Sequence, residues 1–189
     1  MTSTDTSAKT FSLADCDMRP ATVDDIPAIV ATLEEARALL AADGIDQWQN
    51  GSGPNFKNIA LDLEFGWGRV FTVKGSVAAT AALIDVHDPN YEQLIEGAWE
   101  VREDGADNYA TIHRVAVSPA FRGQHVAQLF YRRLIEEARV RGFSELRVDT
   151  HPQNVRMQHV IENSGFKRIG SCCINGNKDD LRWSYQLFL

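Results

Sequence analysis

The sequence predicts one α/β domain on a mixed sheet, and three features point to it. From Tyr109 to Phe166 the order is strand, helix, strand, helix, and a crossover of that length joins parallel strands. Upstream, WGRVFTVKGSVAATAALIDV splits at Lys74-Gly75-Ser76 into two β-rich runs that make a hairpin. Downstream, KRIGSCCI and LRWSYQLFL form a second antiparallel hairpin across NGNKDD.

Taken in order, residues 1–15, opening MTSTDTSAKTF, read as a disordered tail without the apolar run of a signal peptide, and residues 16–189 as the domain. Cys16–Ala21 predicts a short strand. Thr22, with Asp25 three residues on, predicts an N-cap; Ile26, Ile29, Val30, Leu33 and Leu40 recur at helical spacing, and Gly44 stops the helix. Gly51, Gly53 and Pro54 punctuate a loop leading into a second helix near Asn55–Glu64. After the hairpin, Asp88–Asn108 is irregular and charged, a loop with one helical turn. In YATIHRVAV, alternation places Thr111, His113, Val115 and Val117 on one face. Val126, Leu129, Phe130, Leu134 and Ala138 then form a helical stripe ended by Gly142. SELRVDTH is the next strand, and QNVRMQHVIENSGF the next helix, closed by Gly165.

A chain of 189 residues, 44% hydrophobic and 24% charged, supports one well-buried core and is short for two ordinary domains. Its net charge of -7 argues against nucleic acid as a partner and favours a cationic acceptor. Arg132, Arg133, Arg139 and Arg141 share their helix with Glu136 and Glu137, which predicts a solvated, self-paired face. The three cysteines, Cys16, Cys172 and Cys173, make neither a disulfide framework nor a metal knuckle, and fit a reducing, cytoplasmic setting. No stretch approaches the ~18 apolar residues of a membrane span, so no membrane partner is expected.

The stretch Val117–Ala127, VSPAFRGQHVA, feeds a strand into an amphipathic helix and so presents unpaired N–H groups at a helix N-terminus, an anion site. Pro119 bends the exit, Gly123 lets the backbone approach a ligand, and Arg122 adds a positive charge. Neither GKS/GKT nor GxGxxG occurs, which sets aside the P-loop and dinucleotide motifs. In this context the chain resembles the GNAT acetyltransferase superfamily. VSPAFRGQHVA matches that family's V-x-P-x-x-R-G-x-G-x-[GA] turn except at His125. Asn154 and Gly165-Phe166 match its late helix, and MRPATVDDIPAI looks like its first strand and helix. The likeness covers Cys16 to Leu189.

The resemblance implies a twisted mixed sheet of six to seven strands flanked by about four helices, whose central parallel strands splay to admit acetyl-CoA, with no metal. It implies that the main chain of Val115, Ala116 and Val117 pairs with the pantetheine arm. Arg122, Gly123, Gln124, His125, Val126 and Ala127 would hold the pyrophosphate, and Asn154 would meet the distal pantetheine. Because backbone donors do the gripping, His125 suits the site provided its backbone keeps helical φ,ψ, its side chain lying beside the phosphates or in solvent.

Acyl transfer to an amine needs a base, donors for the oxyanion and a leaving group. The resemblance implies backbone N–H near Val115 for the second. Where family members often carry a tyrosine acid, this chain has Ile161, although a thiol of pKa ~8.5 can leave with help from water. Arg147, Asp149 and His151 share one face of their strand by period two, a polar row that needs partners if buried. His113 and His151 are the base candidates, with Asp149 orienting or charging one of them; the alternative is a structural hydrogen-bond network. Trp48 and Phe56, which border the acceptor cleft by the resemblance, either shape it or pack in the core. His159 is expected to be exposed, and Cys172 and Cys173 to point to opposite faces. The function expected is direct transfer of acetyl from acetyl-CoA to a primary amine of a small molecule or peptide. Its rivals are a non-catalytic acyl-CoA sensor and a transferase for longer acyl chains or a hydroxyl acceptor. Homodimerisation through the C-terminal hairpin stays open.

Overall fold

The computed structural model describes residues 11–189, and order begins inside the stretch expected to be tail. Phe11 packs against the main core and Leu13–Asp15 makes a single 3-10 turn; residues 1–10 of that expected tail lie outside the described residues. The elements are β1 (Cys16–Pro20), α1 (Ile26–Ala42), α2 (Phe56–Glu64), β2 (Gly68–Val73), β3 (Ser76–Ile84), β4 (Glu96–Gly97), β5 (Tyr109–Val117), α3 (Val126–Val140), β6 (Glu145–Thr150), α4 (Val155–Asn163), β7 (Lys167–Cys173) and β8 (Leu181–Phe188). They build one sheet in the order β1-β2-β3-β5-β6-β8-β7-β4, antiparallel except between β5 and β6.

The sheet has eight strands rather than six or seven. The addition is β4, two residues inside the segment expected to be loop, beside the expected helical turn at Pro89–Tyr91. Two residues show no period, so nothing local announces it. Its pairing needs glycine on both sides: a Cβ on Gly97 would fall 2.0 Å from Ile169 O, and one on Gly170 would fall 2.1 Å from Glu96 O.

Helices cover both faces. α3 and α4 press Phe130, Tyr131, Leu134 and Ile161 onto Phe71, Leu146 and Tyr185, while α1 and α2 press Ile29, Leu33 and Ile59 onto Val70 and Ala116. On α3 the expected self-pairing is partial: Arg133 pairs with Glu136 at 3.3 Å, and Arg141, the C-cap, lies 3.7 Å from Glu137, which also holds Arg69 of β2. Among the described residues no helix is long and apolar enough to cross a membrane.

Thr22 is the N-cap in the expected place, although the segment it opens is the 3-10 turn Val23–Asp25 that leads into α1, and Asp25 completes its capping box. The Asp25 carboxylate accepts from Thr22 N–H at 2.8 Å and Thr22 Oγ1 at 2.9 Å, and takes both arms of Arg19 at 2.7 and 2.8 Å. The Arg19 guanidinium, and after it Thr22, hold this carboxyl well below the usual range against the opposing effect of burial. Asp25→Asn should therefore cost about 2 kcal/mol at neutral pH. The folded-state pKa lies below the unfolded one, so this contribution is present above about pH 4 and drains away as pH falls. Urea melts at pH 7 and pH 3 should show the gap between wild type and variant narrowing at the lower pH. An unchanged gap would mean that packing, rather than charge, is what Asp25 supplies.

The central pair sets up the site. β5 and β6 are joined only at Tyr109–Glu145, Ala110–Leu146 and Thr111–Arg147, after which they part. In the same region the β3–β5 register steps from Ala82 opposite His113 to Thr80 opposite Ala116, an extra residue on β5, and Arg114 takes φ 56°. This bulge corrects the expected alternation. Ile112 and Val115 both enter the cluster under α3, while His113 turns to Tyr91, so His113 and Val115 do not share a face. Period-two reading assumes an unbroken ladder, and one inserted residue reverses the phase of everything after it.

Candidate active site

Beyond Thr111 the edge of β5 that faces β6 has no strand partner, and the gap opens into a cavity of about 930 Å³. Val115, Ala116, Val117, Val126 and Ala127 line it. The bond that opens α3 runs from Leu129 N–H to His125 O at 3.1 Å, so the N–H groups of Val126, Ala127 and Gln128 have no helical acceptor. Arg122 and Gly123 are exposed on the rim; Gly123 has φ 73°, with no atom within 4 Å of where a Cβ would stand. An open strand edge leading to a free helix N-terminus with a cation beside it fits an amide-bearing arm that ends in a pyrophosphate. Gln124 is not part of the lining, and its side chain donates back to Ala120 O at 3.3 Å.

His125 does not keep helical φ,ψ. It sits in the left-handed region, φ 59° and ψ 18°, at the N-cap of α3, with its side chain exposed and making no capping bond. The turn needs a residue of positive φ there, a conformation that costs an L-residue roughly 1 kcal/mol. His125→Gly should accordingly gain about 0.5–1 kcal/mol in urea unfolding. A loss of stability would show that the imidazole itself holds the turn.

Away from α3, His113 Nε2 lies 2.8 Å from Asp88 Oδ2, a charge contact off the line of a hydrogen bond, which leaves this buried nitrogen without a directed partner. Asp88 also accepts from the Asn90 N–H and side-chain amide, both at 2.8 Å. Burial pushes the Asp88 carboxyl up, but His113 and Asn90 outweigh it and hold it below its ordinary value. The ring of Tyr91 lies 5.8 Å from that of His113, and its hydroxyl donates to Asp149 Oδ2 at 2.6 Å. Burial, then Asp149, raise the Tyr91 pKa well above its ordinary value, so it remains a donor. Asp149 Oδ1 is 3.5 Å from Arg182 Nε, and Arg182 also pairs with Asp180.

Of the sequence-predicted residues, His113 and Asp149 border one cavity and are linked through Tyr91, but the carboxylate beside His113 is Asp88. His151 lies past the end of β6 and outside the lining; its Nδ1 accepts Gln153 N–H at 3.2 Å, and burial, then Arg182, lower its pKa. Trp48 lines the cavity, whereas Phe56 is 65% exposed and outside it. Asn154 caps α4 by accepting Met157 N–H at 3.2 Å and donates to Gln47 Oε1 at 3.0 Å, still within the lining. Ile161 is buried in the main core, and the tyrosine that reaches the cavity is Tyr131, its hydroxyl 3.7 Å from the Met157 sulfur. Sequence reading missed Tyr131, although it stands one helical turn beyond Ala127 of the turn motif. It also missed Asp88, Asp180 and Arg182, for which no spacing gave a signal. Among the described residues no group of three His, Cys, Asp or Glu side chains is placed to hold a metal ion.

A model of the acetyltransferase (GNAT) family matches residues 33–166. A GNAT-family acetyltransferase from Streptococcus agalactiae 2603 is 35% identical and superposes with a TM-score of 0.82, over 92% of this chain and 95% of that one. The Salmonella typhimurium protein yncA, solved with its cofactor acetyl-CoA, shares the fold at 20% identity and a TM-score of 0.64, over 93% and 94% of the two chains. The N-acetylaspartate synthetase of Danio rerio is 33% identical over 73 residues, which is 39% of this chain and only 25% of that curated relative's length.

Proposed function

This chain belongs to the GNAT acetyltransferase family, and from that premise we propose that it moves the acetyl group of acetyl-CoA directly to a primary amine, with His113 as base and Asp88 as its positioning partner. The observation that carries the proposal is the buried, undirected Nε2 of His113 beside a carboxylate, in the same cavity as the open edge of β5. The acceptor ammonium gives its proton to His113, and Asp88 offsets the charge that forms there. The amine nitrogen bonds to the thioester carbonyl carbon, free backbone N–H groups of β5 stabilise the oxyanion, and the C–S bond breaks. Tyr131 donates a hydrogen bond to the leaving sulfur but keeps its proton. Burial raises its pKa far above that of a thiol, so the second proton of the amine nitrogen, lost as the amide forms, passes through water to the thiolate.

A non-catalytic acyl-CoA sensor would leave the His113–Asp88 contact without a task, which favours the enzyme. Calorimetric titration with acetyl-CoA, followed by free-thiol detection across an amine library, tests the reading. Stoichiometric binding with thiol release that depends on the amine is expected. Binding with no release from any amine would return the sensor reading. Running propionyl- and butyryl-CoA beside acetyl-CoA separates a longer-chain transferase, and alcohols in the same library test a hydroxyl acceptor.

A further inference from the structure

The charges around His113 bear on what the acceptor can carry next to its nitrogen. Three carboxylates, Asp88, Asp149 and Asp180, line this end of the cavity against one guanidinium, Arg182. Arg182 is 4% exposed and already committed, to Asp180 and, at 3.5 Å, to Asp149. Arg114, which the bulge turns toward α2, places Nε 2.9 Å from Asp62 Oδ2 and a second nitrogen on the other oxygen. Of the other arginines of the lining, Arg122 stands just before α3, at the far end by the helix N-terminus, and Arg156, in the first turn of α4, pairs with Asp43.

A free amino acid brings a carboxylate two bonds from the reacting nitrogen. Here it would face carboxylates with every nearby guanidinium occupied, a like-charge juxtaposition that excludes ligands. A simple amine brings only a cation, which the same groups attract. The fully buried Thr150 Oγ1, which has no partner in the fold, can accept a hydrogen bond from it. We infer that the acceptor is a small amine whose nitrogen-bearing carbon carries no carboxylate, an inference that rests on the N-acetyltransferase reading above.

Matched pairs isolate the carboxylate: tyramine with tyrosine, tryptamine with tryptophan, agmatine with arginine, and aspartate as an acidic amino acid. The α-ammonium of an amino acid is the more acidic of each pair, so intrinsic reactivity favours the member expected to lose. In every pair that reacts, kcat/KM by thiol release should favour the amine by about a hundredfold or more. Asp180→Asn releases one partner of Arg182 and should cut that preference about tenfold by improving the amino acid. Equal use of both members, or a preference for aspartate, would overturn the inference and leave the acetyltransferase reading intact. Acetyl-CoA binding without thiol release from any amine would overturn both. Should Asp180→Asn fail to fold, the wild-type pairs decide alone; if it folds with the ratio unmoved, occupancy of Arg182 is not what excludes carboxylates.

Discussion

His113→Ala should lower kcat/KM for amine acetylation by about 10²–10⁴-fold while leaving acetyl-CoA affinity in place. The side chain takes a proton from a group that is overwhelmingly ammonium at neutral pH, so without it the reaction must wait for the rare free amine. The deficit should therefore shrink as pH rises, and the variant's rate should track the free-amine fraction. Asp88→Asn should act through His113 and cost less, about tenfold, with the acid limb of the pH profile moving to lower pH. The sign follows from charge: the Asp88 carboxyl is held below its ordinary value and so is ionised at neutral pH, and removing it takes a negative charge from beside the ring. A uniform fall across pH, with acetyl-CoA binding lost as well, would mean that His113 holds the cleft together rather than doing chemistry in it.

How far the sequence reaches depends on whether a feature is local. The cap at Thr22, with Asp25 three residues on, and the hairpin at Lys74-Gly75 are written in a few adjacent residues, and each stands where the sequence places it. The site fails to be legible where geometry comes from pairing across distance. Arg114 takes φ 56° because β3 and β5 run out of step, and no property of an arginine announces that. Period two consequently puts His113 with Val115, and points to Asp149 and His151 as partners. The real neighbour, Asp88, lies in an irregular segment that only the fold brings back to β5. The same holds for Arg182: its sequence marks it as strand, and its contacts with Asp149 and Asp180 make it unavailable to a ligand. His125 is the opposite case. The turn motif called for glycine, and the left-handed backbone shows the conformational reason.

The largest binding effect should come from the turn itself. Gly123 at φ 73° cannot be proline, whose ring fixes φ near -65°, so Gly123→Pro must rebuild the turn and swing the first N–H groups of α3 off the pyrophosphate. Arg122→Glu then sets an anion where a cation stood. Together they should raise the acetyl-CoA Kd by at least about a hundredfold, or about 2.7 kcal/mol. Two milder changes separate the causes. Gly123→Ala meets open space and suffers only its φ, so a loss below about tenfold is expected; Arg122→Gln removes charge alone, and its effect should fade as salt is added. If the double variant folds and still binds acetyl-CoA as wild type does, the pyrophosphate is not held at the start of α3. The cavity would then have to be read from its other end, with the His113 side as the place where the thioester anchors.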